Sequence, residues 1–282
     1  MFFIILFWCL MPVFLASAAD ESSLKIEKIG SGSECLIVAT NKSAAPMTVT
    51  VGITTKAMGR RSQSAKKWFL KGVVSPISTS ELGRFPTENE QACRDAYIVA
   101  FHNIGDAFAV PDKQYKYRLP FKKGLVVRVT QEPNGVLTTH RDALTRYAVD
   151  FAVPKDTPVL AARAGTVIGV IDRFEKGRPD PKLAETTNLV SVIHSDGTFA
   201  QYAHLARNGV LVRPGEQVEA GQIIGYSGNT GFSGGPHLHF DVRQARIQAN
   251  GAVMQVSLPF NFYRQQSGEK ITLRQRMRLT VD

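Results

Sequence analysis

A hairpin signal near the middle of the chain restricts its fold more than any other feature. Residues 188–194 (NLVSVIH) and 199–205 (FAQYAHL) flank SDGT, an Asp-Gly turn between two runs in which apolar residues alternate. This pattern is typical of a tight antiparallel hairpin. Segments with a helical period are scarce, whereas short β-branched runs between turn residues recur along the chain. The sequence therefore predicts a mainly β protein.

The same criteria divide the chain into parts. Residues 20–120 are predicted to form an N-terminal β-sandwich, because short alternating runs are separated by breaks such as GSGS and NKSAAP. A boundary is expected near LPFKKG, and the longer strands of residues 121–250 predict a second antiparallel β domain. Residues 251–282 remain as a C-terminal extension that could pack or hang free. The role of the N-terminal domain stays open, as does the oligomeric state.

The first residues indicate export. An uncharged apolar run closes on Ala-Ser-Ala at residues 16–18, so residues 1–19 are predicted to be a signal peptide. An uncleaved N-terminal anchor is the alternative, because no Lys or Arg precedes the run. The mature chain has no other segment of membrane-spanning length and is expected in the periplasm or the medium.

Charge and cysteine content agree with an exported protein. The net charge of +10 lies wholly in the mature chain and favours anionic polymers such as cell-envelope material. No nucleic-acid-binding motif is present, and export argues against that partner. Cys35 and Cys93 remain after signal cleavage and could form a disulfide or stay as two separate thiols.

Two histidines in the segment GGPHLHFDV at residues 234–242 are candidates for metal binding or catalysis. In a strand, His237 and His239 would project from the same face, either as a solvated pair or as part of a working site. Asp150 in RYAVDF and His204 in YAHL offer further ligands. Zinc accepts imidazole nitrogen and carboxylate oxygen, and a catalytic zinc usually takes three protein ligands and leaves one position open.

At this point the sequence resembles a known family. The motifs YAVDFAVPKDTPVLAARAGTV, YAHL, VRPGEQVEAGQIIGYSGNTG and GGPHLHF occur in the order found in lysostaphin-type, or LytM-domain, zinc metallopeptidases, which cut peptide bonds in bacterial peptidoglycan. The resemblance covers roughly residues 125–245 and implies a LytM-like β domain. An N-terminal sandwich ahead of such a domain is also similar to envelope proteins of this family.

The resemblance implies roles for individual residues. Asp150 and His239 would bind one zinc ion per chain. His204 and His237 would be the catalytic pair that handles protons and stabilises the oxyanion. Tyr202 and Asn188 lie in stretches similar to family positions that line the cleft, and are expected to support substrate binding.

One departure from the family pattern bears on activity. The family's first motif is normally His-x-x-x-Asp, but the position four residues before Asp150 is Arg146, which cannot donate a lone pair to zinc. Either His140 reaches the metal from the preceding loop, or the site is degenerate and the domain binds without cutting. In the first case Arg146, on the same strand face as Asp150, could hold a substrate carboxylate.

Two functions from different classes follow. The first is a zinc-dependent endopeptidase that hydrolyses peptide cross-links of peptidoglycan, with other envelope proteins as possible partners and the cross-link unspecified. The second is a degenerate LytM-domain regulator that binds the cell wall or activates an amidase. A lipoyl-type carrier domain, suggested by RPGEQVEAGQIIGYSG, is disfavoured because no lysine occurs between residues 183 and 269.

Overall fold

The computed structural model describes residues 23–55, 66–133, 135 and 138–282. The chain is mainly β, as predicted, and the hairpin at SDGT is confirmed, with strands Leu189–Ile193 and Phe199–Ala203 paired antiparallel. The predicted signal peptide at residues 1–19 lies outside the described residues. Within the described part of the chain, no helix is both long and apolar enough to cross a bilayer.

The N-terminal part is built from two three-stranded antiparallel sheets. One sheet has the order β1-β2-β5, with β1 Leu24–Ser31, β2 Glu34–Asn41 and β5 Ser78–Pro86; the other has the order β4-β3-β6, with β3 Met47–Thr54, β4 Lys67–Val74 and β6 Tyr97–Ile104. Strands β4 and β5 were not identified in the sequence. Between β5 and β6 lies the short helix α1, Glu90–Asp95.

Alternation along the strands places one face of each sheet in a shared core. On β2 the odd-numbered residues from Cys35 to Asn41 are buried, and on β3 the residues Val49, Val51 and Ile53 point inward. Cys93 of α1 meets Cys35 in this core, and the two form a disulfide. Of the two alternatives that the sequence left open, the disulfide is therefore the one present, and it ties α1 to β2.

The second part is organised around a nine-stranded sheet. Its order is β16-β11-β13-β14-β19-β9-β8-β23, and β20 pairs with the far half of β19. These strands are β8 Val126–Gln131, β9 Val149–Ala152, β11 Gly165–Ile171, β13 Leu189–Ile193, β14 Phe199–Ala203, β16 Gln217–Val218, β19 His237–Ile247, β20 Val253–Ser257 and β23 Arg278–Thr280.

Smaller sheets cover the core side or border the large one. They are formed by β7 Lys116–Tyr117, β10 Pro158–Leu160, β12 Gly177–Arg178, β15 Leu205–Val210, β17 Ile223–Ser227, β18 Gly231–Phe232, β21 Asn261–Tyr263 and β22 Lys270–Ile271. The charged segment 174–187 contains β12 and a 3-10 helix, Pro181–Thr186.

The core of this second part fills only one face of the nine-stranded sheet. Phe151, Tyr202 and Phe240 are fully buried there and form part of an aromatic cluster with Phe260 and Phe262. The C-terminal residues contribute Phe262, Ile271, Leu279 and Val281 to the same core, so the extension packs. The opposite face of the sheet carries the cleft described next, and beside the cleft Ile168 and Phe199 of this face pack into the core of the N-terminal part.

Candidate metal centre

Strand register brings the predicted metal ligands side by side. In the antiparallel pair β9–β19, Asp150 lies directly opposite His239, and Asp150 also lies opposite Gln131 of β8. On the other side of β19, Ala203 of β14 lies opposite His239, and His204 follows immediately. Residues directly opposite each other on neighbouring strands project from the same face, so the site is assembled from a row across the sheet.

This row lies at the floor of a cleft of about 650 Å³ on the open face of the sheet. Three segments form its walls: one around residues 139–145, one around 179–187, and the glycine-rich loop 232–236. Ile104 of the N-terminal part lines one end. The cleft therefore exposes the row of polar residues while the other face of the same strands stays packed.

His140 completes a group of three potential ligands. Ligand atoms of His140, Asp150 and His239 all lie within 4.8 Å of one another, and His140 Nε2 is 3.5 Å from Asp150 Oδ2. The His140 Nδ1 atom is buried and has no hydrogen-bond partner among the described residues. Two imidazoles and one carboxylate form a donor set that fits zinc, so the residues present fit the metal that the family resemblance implies.

The charges of this group are strongly coupled. Burial alone would raise the pKa of Asp150, but the hydrogen bond from His239 and the neighbouring imidazoles hold it well below its usual range. Burial lowers the pKa of His140 to about 4, and the neighbouring His239 adds to this effect. His140 is thus neutral near pH 7, which is the form in which an imidazole donates a lone pair to a metal.

His239 is held from both ends of its ring. Its Nδ1 is 3.1 Å from Asp150 Oδ1, and its Nε2 is 3.0 Å from Asp241 Oδ2. Arg243 in turn donates from Nε and Nη2 to the two oxygens of Asp241, each at 2.7 Å. Burial opposes protonation of His239, yet the two carboxylates raise its pKa to about 9. Asp241 fixes the ring so that Nδ1 faces the possible metal position.

His204 and His237 form a second pair beside this group, with ring centroids 4.4 Å apart. The Nδ1 of His204 faces the Thr230 carbonyl at 2.6 Å, and that of His237 faces the Gly235 carbonyl at 2.8 Å. A carbonyl oxygen only accepts, so both Nδ1 atoms carry hydrogen and both Nε2 atoms are lone pairs when the rings are neutral. Burial is the main cause that lowers the pKa of His204 to about 3, and the neighbouring His237 adds to this effect.

Three residues expected at the cleft lie elsewhere. Strand β9 begins only at Val149, so Arg146 is exposed in a turn and the expected strand alternation with Asp150 is wrong. Tyr202 projects into the core, where its hydroxyl oxygen accepts from Ala162 N at 2.7 Å. Asn188 is buried, and its side chain forms hydrogen bonds with the backbone of Phe174 and Leu205.

Two site residues were missed in the sequence, Gln131 and Asp241. Asp241 continues the i, i+2 alternation from His239, so its position on the same side was readable from the strand pattern. Gln131 gave no such signal, because a register shift between Val129 and Gln131 reverses its expected side.

Comparison with known proteins agrees with this geometry. Residues 145–253 match the model of peptidase family M23. Lysostaphin of Staphylococcus staphylolyticus is 41% identical over 96 residues, which are 33% of this chain and 18% of that protein. The peptidoglycan DD-endopeptidase ShyA of Vibrio cholerae is 37% identical over 93 residues, 33% of this chain and 19% of that protein. The chain thus spans under one fifth of the length of either relative.

Among solved structures, the catalytic domain of lysostaphin from Staphylococcus simulans is 30% identical, with 48% of this chain and 87% of that one covered. The TM-score of 0.29 is too low to bear on the fold. The family match takes in Asp150, His204, His237 and His239, in the order and on the strands that build the row. Residues 145–253 therefore form a domain of peptidase family M23, of the lysostaphin type.

Proposed function

We propose that this protein is a zinc-dependent endopeptidase that hydrolyses peptide cross-links of bacterial peptidoglycan. The observation that carries the proposal is the position of His140. Arg146 occupies the place of the usual first ligand, yet His140 comes within 4.8 Å of Asp150 and His239 from a loop ten residues upstream of Asp150. His140 thereby gives the site the three protein ligands that a catalytic zinc usually takes.

In this proposal His140, Asp150 and His239 hold the ion. A zinc ion supplies Lewis acidity to the scissile carbonyl and lowers the pKa of water enough for attack near neutral pH. The chain's own contribution is a neutral His140, an ionised Asp150 and a His239 ring oriented by Asp241. Zinc binding would require His239 Nδ1 to release the proton that it shares with Asp150 Oδ1, because a metal takes the imidazole in its neutral form.

His204 and His237 act on protons and on the substrate carbonyl. Each presents Nε2 to the cleft, because each Nδ1–H is committed to a backbone carbonyl. His237 Nε2 is 3.7 Å from Asp150 Oδ2, close enough to accept a proton from the attacking water. Once protonated, His237 Nε2 can donate a hydrogen bond to the oxygen on which negative charge develops, while the lone pair of His204 Nε2 accepts one from the substrate.

Substrate and location follow from the relatives and the composition. The similar proteins named above include lysostaphin and a peptidoglycan DD-endopeptidase. A chain of net charge +10 is suited to an anionic polymer, and the proposed signal peptide would carry it to the envelope. Peptidoglycan is therefore the substrate proposed here.

The test is zinc stoichiometry by elemental analysis, with digestion of purified peptidoglycan by the same samples. We expect about one zinc per chain in the wild type and little in His140→Ala or His239→Ala. His102→Ala, in the N-terminal part, is the matched control and should keep its zinc. Muropeptides released by wild type and control should be absent from both ligand variants.

Two other results would change the assignment. Zinc retained in His140→Ala would remove His140 from the ligand set and leave it a loop residue. No zinc in the wild type after reloading, with no digestion, would contradict the enzyme and favour the regulator that binds the wall or activates an amidase.

A further inference from the structure

Two arginines face each other on neighbouring strands beside the cleft. Arg128 of β8 lies directly opposite Arg278 of the edge strand β23. Both side chains are exposed, and neither forms an ion pair with any residue in the described ranges. Like charges directly opposite each other destabilise a sheet, so the fold itself gains nothing from this pair.

The pair lies in the same row of the sheet as a residue of the candidate catalytic pair. Arg278 is opposite Arg128, Arg128 is opposite Ala152, and Ala152 is opposite His237. Arg128, Ala152 and His237 all line the cleft. With neighbouring strands about 4.8 Å apart, Arg128 lies about 10 Å and Arg278 about 15 Å from His237 along this row.

Another arginine at the cleft, Arg243, differs from this pair because its guanidinium is already hydrogen-bonded to a carboxylate of the protein. Arg243 is buried and makes two hydrogen bonds to Asp241, so its charge is already matched. Within the part of the chain that the structure describes, no carboxylate forms an ion pair with Arg128 or Arg278. A guanidinium presents a planar fork of N–H donors that matches a carboxylate. Two guanidinium groups side by side can therefore donate several hydrogen bonds to one bound carboxylate.

We propose that Arg128 and Arg278 form a subsite for a free carboxylate of an acidic peptide substrate, about three residues from the bond that is cut. An extended peptide covers about 3.3–3.6 Å per residue, so three residues span the distance from His237 to Arg128. The inference rests on the proposed function, because it takes His237 as the position of the chemistry. It assigns to Arg128 and Arg278 the substrate-carboxylate role expected of Arg146, which is exposed in a turn and does not line the cleft.

The first experiment measures binding to the metal-free protein, so that it does not depend on turnover. Two synthetic peptides of cross-link type, identical except for a terminal carboxylate or carboxamide, are titrated by isothermal calorimetry. The wild type should bind the carboxylate about tenfold more tightly, the gain expected of a charge-assisted hydrogen bond. In Arg128→Gln and Arg278→Gln the two peptides should differ by about twofold or less.

The matched control is Arg246→Gln. Arg246 is also exposed on the nine-stranded sheet, but it lies opposite Met254 near the far end of β19. The Arg246→Gln variant should prefer the carboxylate peptide over the carboxamide peptide by the same factor as the wild type. With the loaded enzyme, the arginine variants should raise KM for the carboxylate peptide while kcat stays unchanged, because binding is lost equally in ground and transition states.

The outcomes separate this subsite from the proposed function. A double variant, Arg128→Gln with Arg278→Gln, that still prefers the carboxylate would overturn the subsite, as would an equal loss for both peptides. A wild type that cleaves neither peptide, but prefers the carboxylate in a manner that requires both arginines, would support the subsite while contradicting the endopeptidase. A wild type that cleaves both peptides with the same kcat/KM would overturn the subsite alone.

Discussion

Gln131 Nε2 donates a hydrogen bond to Asp150 Oδ2 at 2.6 Å. The other end of the same amide, Oε1, accepts from Thr139 N at 2.6 Å and from the Thr138 and Thr139 hydroxyls at 3.1 Å. Thr138 Oγ1 also accepts from His140 N. One side chain thus connects the carboxylate of the candidate metal centre to the loop that supplies the unusual histidine.

This relationship predicts that Gln131→Met weakens zinc binding. Methionine keeps the length of the side chain but removes both hydrogen-bonding ends, so the His140 loop loses its anchor to Asp150. Loss of such a supporting residue typically costs about 10–100-fold in metal affinity. Competition titration with a chromophoric chelator measures the change, and the visible spectrum of the cobalt-substituted protein reports whether the coordination itself has altered.

The control uses coupling between residues. In a His140→Ala background, Gln131→Met should have little further effect, because the anchored ligand is already gone. Gln201→Met, which alters a glutamine in the same cleft, should bind zinc as the wild type does. Equal losses from Gln131→Met in both backgrounds would mean that the residue supports the fold generally and does not act through His140.

Much of the site could be predicted from sequence because its motifs obey strand geometry. His237 and His239 are two residues apart on one strand, and Asp241 extends the same alternation. The hairpin that carries His204 was marked by an Asp-Gly turn. What the sequence could not supply is register, which alone places Asp150 opposite His239.

The errors arise where the backbone departs from simple alternation. Plain alternation puts Tyr202 and His204 on one face, but His204 has a φ of 64°, so the chain turns there and only His204 reaches the cleft. A bulge in β8 similarly brings Gln131 to the cleft side. The position of His140 depends on loop hydrogen bonds, which leave no periodic trace in a sequence.

Tyr202 offers a test of its core assignment. In Tyr202→Phe the Ala162 N–H loses its acceptor inside the protein, which should lower the free energy of unfolding by about 1–3 kcal/mol. Zinc affinity should not change, because the ring lies on the core face of β14. Urea unfolding and zinc titration of the same samples check both points. Tyr97→Phe, at an exposed position, should be nearly neutral, and a drop in zinc affinity in Tyr202→Phe would return that residue to the cleft.

The disulfide should contribute strongly to the N-terminal part. Cys35 and Cys93 are 58 residues apart in sequence. Closing a loop of that length lowers the entropy of the unfolded chain and raises its free energy by about 4 kcal/mol. The Cys35→Ala, Cys93→Ala double variant should therefore melt at a lower temperature in calorimetry, with zinc stoichiometry preserved. A melting temperature that is the same with and without reductant would show that the bridge carries no stability.

His194 predicts how stability depends on pH outside the metal centre. It is buried beside the SDGT turn, its Nδ1 faces the Ala164 carbonyl at 2.9 Å, and burial lowers its pKa to about 4. Between pH 6.5 and 4 the unfolded chain therefore takes up a proton that the folded chain refuses, so stability falls as the pH falls. A shift of this size corresponds to about 3 kcal/mol, lost fully below pH 4. His194→Asn retains a donor for Ala164 but cannot titrate, so the difference in unfolding free energy between wild type and variant should shrink by about that amount from pH 7 to pH 4. Urea unfolding of both proteins in chelator, followed by circular dichroism across this range, measures the difference without interference from bound metal. A difference that stays constant with pH would mean that His194 has the same pKa in the folded and the unfolded protein.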